Sequence, residues 1–195
     1  MDAGDDAHLI EHFIASETRL SGGFLTVLRD RVRLPDGQEA TREFIRHPGA
    51  VAIVPILDDG RLVLVRQFRY PVGRVLLEWP AGKLDGKEGA FACARRELRE
   101  ETGYVASEWA RAGVFQNACA YSDEGIEIWF ARGLRPGVQA LDAGEFVEVG
   151  QYEEAELIER LQAGEITDMK TALGLLWLQR WRAGGLRLDW HVPAD

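Results

Sequence analysis

The alternation of hydrophobic and polar positions predicts short strands and helices that follow one another along the chain. Residues 24–34 and 39–47 alternate partially on either side of an Asp-Gly turn, which predicts a β-hairpin near the N-terminus. Residues 50–57 and 61–68 flank a second Asp-Gly turn and predict a second hairpin. Because 50–57 is a continuous apolar run, we expect that strand to be buried on both faces.

The rest of the chain interleaves further strands and helices. The predicted strands are 75–79, 111–117, 125–132 and 145–151, and the predicted helices are 89–102, 153–163 and 167–181. Gly103 follows the first helix, where a C-terminal cap is expected, and residues 1–20 form a polar lead-in with a short helix or entry strand. The last helix carries a stripe expected in a core or dimer interface, namely Leu173, Leu176, Trp177 and Trp181. Without a regular βαβ repeat, these elements predict an α/β fold with a mixed, antiparallel-rich sheet between helices.

Composition narrows the class of protein. A chain of 195 residues with 46 % hydrophobic content is long enough for one substantial domain with a small N-terminal extension. A net charge of −9 argues against binding nucleic acid, which requires a concentrated basic surface. There is no long apolar run, and the first residues do not resemble a signal peptide. We therefore expect a soluble cytoplasmic protein with no membrane partner.

The predicted helix 89–102 concentrates acidic residues on one side. Glu97 and Glu101 lie one turn apart, and Glu100 lies beside them, so three carboxylates share a face. A separate apolar stripe, suited to packing on a sheet, comprises Phe91, Ala94 and Leu98. One interpretation of the acidic side is a solvated charged surface.

If that acidic side lines a cleft, the mutual repulsion of the carboxylates calls for a cation. Oxygen ligands favour Mg²⁺, with Mn²⁺ as a substitute. Such a site predicts metal-assisted attack of water on a diphosphate. Arg96 and Glu88 are interpreted as residues that orient the carboxylates by ion pairing.

Residues 82–104 match the pattern G-x5-E-x7-R-E-U-x-E-E-x-G-U, where U is apolar or aromatic, at every fixed position. That pattern is the Nudix box, and the chain resembles the Nudix hydrolase superfamily. Between residues 23 and 181 it also resembles the ADP-ribose pyrophosphatase group. The segments that carry this wider resemblance are 23–24, 42–44, 66–70, 77–82, 121–124 and 164–168.

The resemblance implies a Nudix α/β/α sandwich and Mg²⁺-dependent hydrolysis of ADP-ribose to AMP and ribose 5-phosphate. It also implies that residues 1–48 form an N-terminal extension and hairpin that dimerises by strand exchange. Residues 49–195 would then form the Nudix hydrolase domain of a homodimer.

Particular residues take roles from the same resemblance. The Ala81 carbonyl, Glu97 and Glu101 would hold the metal, with Glu100 close by. Arg69 would contact the diphosphate.

The resemblance also assigns the remaining substrate contacts and the base. Phe24 would stack on adenine, with Arg42 and Glu43 completing the base site, and Glu124 would approach the terminal ribose or a metal. The alternatives are a core position for Phe24 and solvated strand ends for Arg69 and Glu124. Glu145 is the predicted general base or extra metal ligand, and Asp142 and Glu148 stay open.

Two departures from the group's pattern bear on these roles. Ala143 occupies a position in the acidic loop where another acid would strengthen the choice of base. Residues 118–120 are Ala-Cys-Ala where the group often has Ser-Pro-Gly, which leaves GDP-mannose, UDP-sugars and dinucleotides open as substrates. A different class of function is a non-catalytic Nudix-fold metabolite sensor.

Overall fold

The protein was analysed as a computed structural model that describes residues 6–193. The described residues divide into two compact units, one containing those up to residue 48 with Ala118–Glu124, and the other containing the rest. The strands are β1 (His12–Ser21), β2 (Thr26–Arg33), β3 (Glu39–Arg46), β4 (Ala50–Pro55), β5 (Leu62–Arg69), β6 (Arg74–Glu78), β7 (Ala81–Lys83), β8 (Tyr104–Gln116), β9 (Gly125–Pro136) and β10 (Val147–Tyr152). The helices are α1 (Ala90–Thr102), α2 (Glu154–Gln162) and α3 (Met169–Arg182).

The first unit is a three-stranded antiparallel sheet in the order β1-β2-β3. β2 and β3 form the first predicted hairpin, and Gly37 closes its turn at a φ of 88°, so that prediction is confirmed. β1 is a ten-residue strand that is almost wholly exposed, where the sequence predicted only a short helix or entry strand. The segment 118–124 runs beside β3, where the Ile45 N–H donates to the Tyr121 carbonyl at 2.8 Å.

The second unit contains two sheets, ordered β7-β4-β9-β8 and β10-β5-β6. β4 and β9 are parallel, whereas all other paired strands in these sheets are antiparallel. The predicted mixed, antiparallel-rich α/β fold is therefore confirmed.

β4 lies at the centre of this unit and is buried on both faces, as its apolar run predicted. Val51 and Ile53 pack on one side with Cys93, Ala94 and Leu98 of α1. The neighbouring Val54 packs on the other side in a cluster with residues of α2 and α3, namely Leu157, Leu175 and Leu178. Helices thus cover both faces of the sheet, which is the α/β/α sandwich.

The second predicted hairpin is wrong. Its turn forms, with the Leu57 N–H donating to the Arg61 carbonyl at 2.8 Å, but only a single bridge between Ile56 and Leu62 joins the two strands. β4 pairs with β7 and β9, and β5 pairs with β6 and β10. β6 follows β5 directly in the chain, whereas β9 and β10, the other partners of β4 and β5, come from much later in the sequence.

The apolar stripe predicted for α3 lies mostly in the core. Leu173, Trp177 and Trp181 pack against the core, but Leu176 is 48 % exposed. The helix instead buries Leu175 and Leu178, with Gly174 against the Trp79 ring. Within residues 6–193, no helix is long and apolar enough to cross a membrane.

Candidate active site

Helix α1 presents its apolar side to the core and its acidic side to strand β7. Leu98 is fully buried, and Phe91 contacts the Trp109 and Trp129 rings at centroid distances of 5.5 and 4.9 Å. Gly103 ends the helix in the left-handed conformation, with a φ of 75°, and its N–H donates to the Arg99 carbonyl. The predicted helix, stripe and cap are confirmed.

Arg96 links three of the acidic residues. Its guanidinium contacts Glu97 at 2.7 Å, Glu100 at 3.0 Å and Glu88 at 2.6 Å. The hydrogen bond from Arg96 to Glu88 is the main cause that lowers the pKa of Glu88 to about 2. The predicted ion pairing by Arg96 and Glu88 is present, and Arg96 supplies positive charge between carboxylates that would otherwise repel one another.

Glu101 is a buried carboxyl, with 4 % of its surface exposed. Its Oε2 accepts a hydrogen bond from the Ala81 N–H at 3.0 Å. Burial raises the pKa of Glu101 to about 8, and the nearby charges of Glu97 and Glu145 add to that rise. Burial also raises the pKa of Glu97. Glu101 therefore resists ionisation unless positive charge is brought to it, whereas Glu97 already has the Arg96 guanidinium beside it.

Glu97 lies directly against the backbone of β7. A Cβ atom added to Gly82 would lie 1.9 Å from Glu97 Oε1, so only glycine leaves room for the carboxylate. The structure thereby brings together Ala81, Glu97 and Glu101, with Glu100 attached through Arg96.

These donors fit a hard divalent cation in their chemistry, because all are oxygens and two belong to carboxyl groups whose pKa burial raises. Within residues 6–193, however, no three acidic, His or Cys side chains converge in an arrangement ready to hold a metal ion. The physical reason is that Arg96 engages Glu97 and Glu100, while Glu101 bonds to Ala81.

The acidic loop before β10 brings one further carboxylate near the helix. The Glu145 N–H donates to the Asp142 carbonyl at 3.0 Å, and the Asp142 N–H donates to Glu145 Oε2 at 3.3 Å, which forms a tight turn. Glu145 contributes to the raised pKa of both Glu97 and Glu101. Glu148, by contrast, pairs with Arg66 of β5. Of the three candidate bases, Glu145 is therefore the best placed to act on the helix acids.

Arg69, at the end of β5, is held by an acid that the sequence analysis gave no role. Its Nε and Nη2 donate to the two carboxylate oxygens of Glu78 at 2.8 and 2.9 Å. Glu78 is 1 % exposed and also receives the Lys170 ammonium. One sequence signal was available: Glu78 is an acid within an otherwise apolar strand, and charged residues are almost never fully buried unless paired.

The four predicted residues of the first unit do not form one cluster. Phe24 is 55 % exposed and meets the His47 ring edge-on at 6.5 Å, and His47 Nε2 lies 3.6 Å from Glu124. Sequence reasoning missed His47. Arg42 pairs with Glu11, and Glu43 pairs with Arg29.

Arg42 and Glu43 are neighbours on β3, so their side chains point to opposite faces of the sheet. A ligand that lies on one face of this sheet meets one of the two.

Comparison of the sequence with known protein families identifies the family of this chain. The NUDIX domain model matches residues 46–170, and the model of the nucleoside diphosphate sugar hydrolase N-terminal domain matches residues 11–45.

Named relatives cover most of the chain. An ADP-ribose pyrophosphatase of Bacillus subtilis is 36 % identical, across 88 % of this chain and 94 % of its own length. An ADP-ribose pyrophosphatase of Mycobacterium tuberculosis is 40 % identical, across 84 % of this chain and 80 % of its own. A crystal structure of an ADP compounds hydrolase superposes with a TM-score of 0.81 at 24 % identity, covering 90 % of this chain and 96 % of the other.

Proposed function

The chain belongs to the NUDIX family of hydrolases, and from this membership we propose that it hydrolyses the diphosphate bond of ADP-ribose to AMP and ribose 5-phosphate. The observation that carries the proposal is the placement of Glu97 and Glu101 against Ala81 and Gly82, in the field of Glu145. The two relatives named ADP-ribose pyrophosphatase, at 36 % and 40 % identity, support the choice of substrate.

We propose Mg²⁺ as the cofactor, with Mn²⁺ as a substitute. The Ala81 carbonyl, Glu97 and Glu101 would hold it, with Glu100 nearby. When bound, the ion activates water and offsets charge on the diphosphate.

The protein residues then act on the substrate and on the proton. The Arg69 guanidinium, anchored by Glu78, donates hydrogen bonds to the diphosphate. Glu145 accepts a proton from the attacking water, and its exposed loop position lets it approach the helix acids.

The first unit supplies the base site in this proposal. Phe24 stacks on adenine through its exposed ring, Arg42 and Glu43 complete the base site partly across the dimer interface, and Glu124 approaches the terminal ribose. We place the domain boundary between residues 48 and 49 and propose a homodimer assembled through the N-terminal strands. Two free cysteines are consistent with a cytoplasmic protein.

The direct test is hydrolysis of ADP-ribose in ¹⁸O-water with Mg²⁺, followed by mass analysis of both products. We expect AMP and ribose 5-phosphate, with the label in one product marking the phosphorus that is attacked. Addition of EDTA is the matched control and is expected to stop turnover. Release of no AMP, with the protein folded and the metal present, would contradict the proposal.

A second substrate is considered because residues 118–120 are Ala-Cys-Ala where the group often has Ser-Pro-Gly. GDP-mannose or a UDP-sugar is the alternative, and initial rates on a panel of nucleoside diphosphate sugars separate the two.

Binding of panel members without turnover would instead indicate a metabolite sensor. The retention of Glu97, Glu100 and Glu101 argues against that class.

A further inference from the structure

Glu78 is a buried carboxylate that two cations share. It is 1 % exposed, and both of its oxygens accept hydrogen bonds from Arg69. The Lys170 ammonium, from a residue 92 positions later, bonds to the same Oε2 that Arg69 Nη2 contacts. Burial alone would raise the pKa of Glu78, but the ion pairs outweigh it and lower that pKa, so the carboxylate is ionised at neutral pH.

Arg69 is anchored along one edge only. Glu78 accepts hydrogen bonds from the Nε–H and from one Nη2 N–H. The two Nη1 N–H groups and the second Nη2 N–H do not bond to Glu78. Among residues 6–193, none accepts a hydrogen bond from Nη1. The side chain is 38 % exposed, and the Glu101 carboxyl of helix α1 lies close enough to influence the pKa of Arg69. The unbonded edge of the guanidinium is thus available to a phosphate beside the helix acids.

Lys170 occupies a place that helix stability does not explain. It lies in the first turn of α3, where a positive charge opposes the helix dipole. Its side chain is nevertheless 12 % exposed, and its ammonium bonds to Asp168 at 2.9 Å as well as to Glu78. These two ion pairs compensate the partial burial of the Lys170 ammonium.

Contacts of the next residue fix the position of Lys170 relative to Glu78. The Trp79 N–H donates to Thr171 Oγ1 at 3.1 Å, and Trp79 Nε1 donates to the Thr171 carbonyl at 3.0 Å. Asp168 accepts from the Thr171 N–H at 2.9 Å and caps the helix. The first turn of α3 is therefore fastened to the end of β6, with Lys170 held against Glu78.

We propose that Lys170 is a positioning residue for hydrolysis: by fixing the Glu78 carboxylate, it aims the unbonded edge of Arg69 at the diphosphate. This inference rests on the proposed function, in which Arg69 binds the diphosphate. Lys170 itself does not touch the substrate. Without its ammonium, Glu78 loses one of two anchors, and the guanidinium is no longer held in a single orientation.

A double-mutant cycle tests whether Lys170 acts through Arg69. Lys170→Met keeps the length of the side chain and removes the charge, and we expect it to lower kcat/KM by about 10- to 100-fold. Lys170→Arg, which restores a cation, should recover activity to within about 5-fold. In an Arg69→Gln background, Lys170→Met should change kcat/KM by less than about 2-fold. An equal loss in both backgrounds would overturn the proposal.

A control on the same helix separates positioning from stability. Arg182→Met removes the ion pair with Glu154 at the other end of α3. It should lower Tm as much as Lys170→Met does, while leaving kcat/KM of the folded enzyme unchanged. If both variants lose activity only in proportion to Tm, Lys170 has a structural role and not a positioning one.

A readout without substrate keeps this inference independent of the proposed activity. The Arg69 Nε–H signal, assigned by its absence in Arg69→Lys, should exchange slowly with water in the wild type and in Lys170→Arg. We expect at least about 10-fold faster exchange in Lys170→Met. Unchanged exchange would overturn the positioning role, whereas a wild-type protein that hydrolyses no nucleotide sugar would overturn the function alone.

Discussion

At the scale of single residues, the candidate site combines groups that the fold holds in unfavourable electrostatic states. Glu101 and Glu97 have raised pKa values because burial disfavours their ionised forms. Glu97 sits where only a glycine leaves room for it. Buried acids with raised pKa values are typical of binding sites, where they lower the stability of the free protein. Binding of a cation stabilises their ionised forms.

The pH dependence of stability follows from Glu101. Its folded pKa of about 8 is above the ordinary value of 4.5, so its contribution is fully present below 4.5 and is lost as pH rises through 8. We predict that the Tm of metal-free protein falls between about pH 5 and pH 8.5, and that it falls less in Glu101→Gln. Scanning calorimetry across this pH range in the presence of EDTA measures the Tm of the wild type and of Glu101→Gln. Parallel curves for the two proteins would contradict the shifted pKa.

Gly82 offers a second test at this scale. In Gly82→Ala the new methyl group would overlap Glu97 Oε1, which lies 1.9 Å from the added Cβ, so the carboxylate must move. We predict a loss in kcat/KM of about 100-fold, with weaker Mg²⁺ binding in calorimetric titration. Gly89→Ala is the matched control, because no atom lies within 4 Å of its added Cβ. Equal activity in the two variants would show that Glu97 adapts freely.

At the scale of elements, the site depends on the fastening of α3 to the end of β6. The two elements are far apart in sequence, and the bonds between Trp79 and Thr171 span 92 residues. β7, which carries Ala81 and Gly82, begins just after Trp79. The position of α3 therefore affects the strand against which Glu97 and Glu101 lie.

Thr171→Val tests this connection. The change removes the oxygen that accepts from the buried Trp79 N–H and leaves that donor unsatisfied. We predict a loss of about 1–3 kcal/mol in the free energy of unfolding, measured in urea. Thr167→Val, which loses an exposed bond with Arg74, should cost less than about 0.5 kcal/mol. A cost for Thr171→Val no larger than the control's would contradict the role of this bond.

At the scale of the whole molecule, the exposed strand β1 bears on assembly. The first unit is a thin sheet whose strand β1 is almost wholly exposed and carries apolar side chains, with Phe13 at 66 % and Leu20 at 53 % exposure. Exposed apolar residues on a long strand favour association with another chain.

The proposed homodimer gives a prediction at this scale. We expect light scattering to show a dimer, and Phe13→Glu to weaken its association by at least about 10-fold through the burial of a charge. Val138→Glu, at another residue that is 83 % exposed, is the matched control and should leave the dimer intact. A monomeric wild type at micromolar concentration would refute the proposal.

Local features of the fold were predictable because they depend on neighbours in sequence. Helix α1, its Gly103 cap, the buried strand β4 and the first hairpin all follow from periodicity and turn chemistry over a few residues. The acidic side of α1 and the ion pair between Arg96 and Glu88 were predictable from motif spacing for the same reason.

Only the tertiary structure decided how these pieces meet. It separated β4 and β5 into different sheets, placed Glu97 against Gly82, and brought Lys170 to Glu78 across 92 residues. A sequence pattern records which face of an element is apolar, but it does not record which distant element will cover that face. The order and spacing of residues thus determined that a helix would bear clustered acids, and long-range packing determined which cations and backbone atoms would face them.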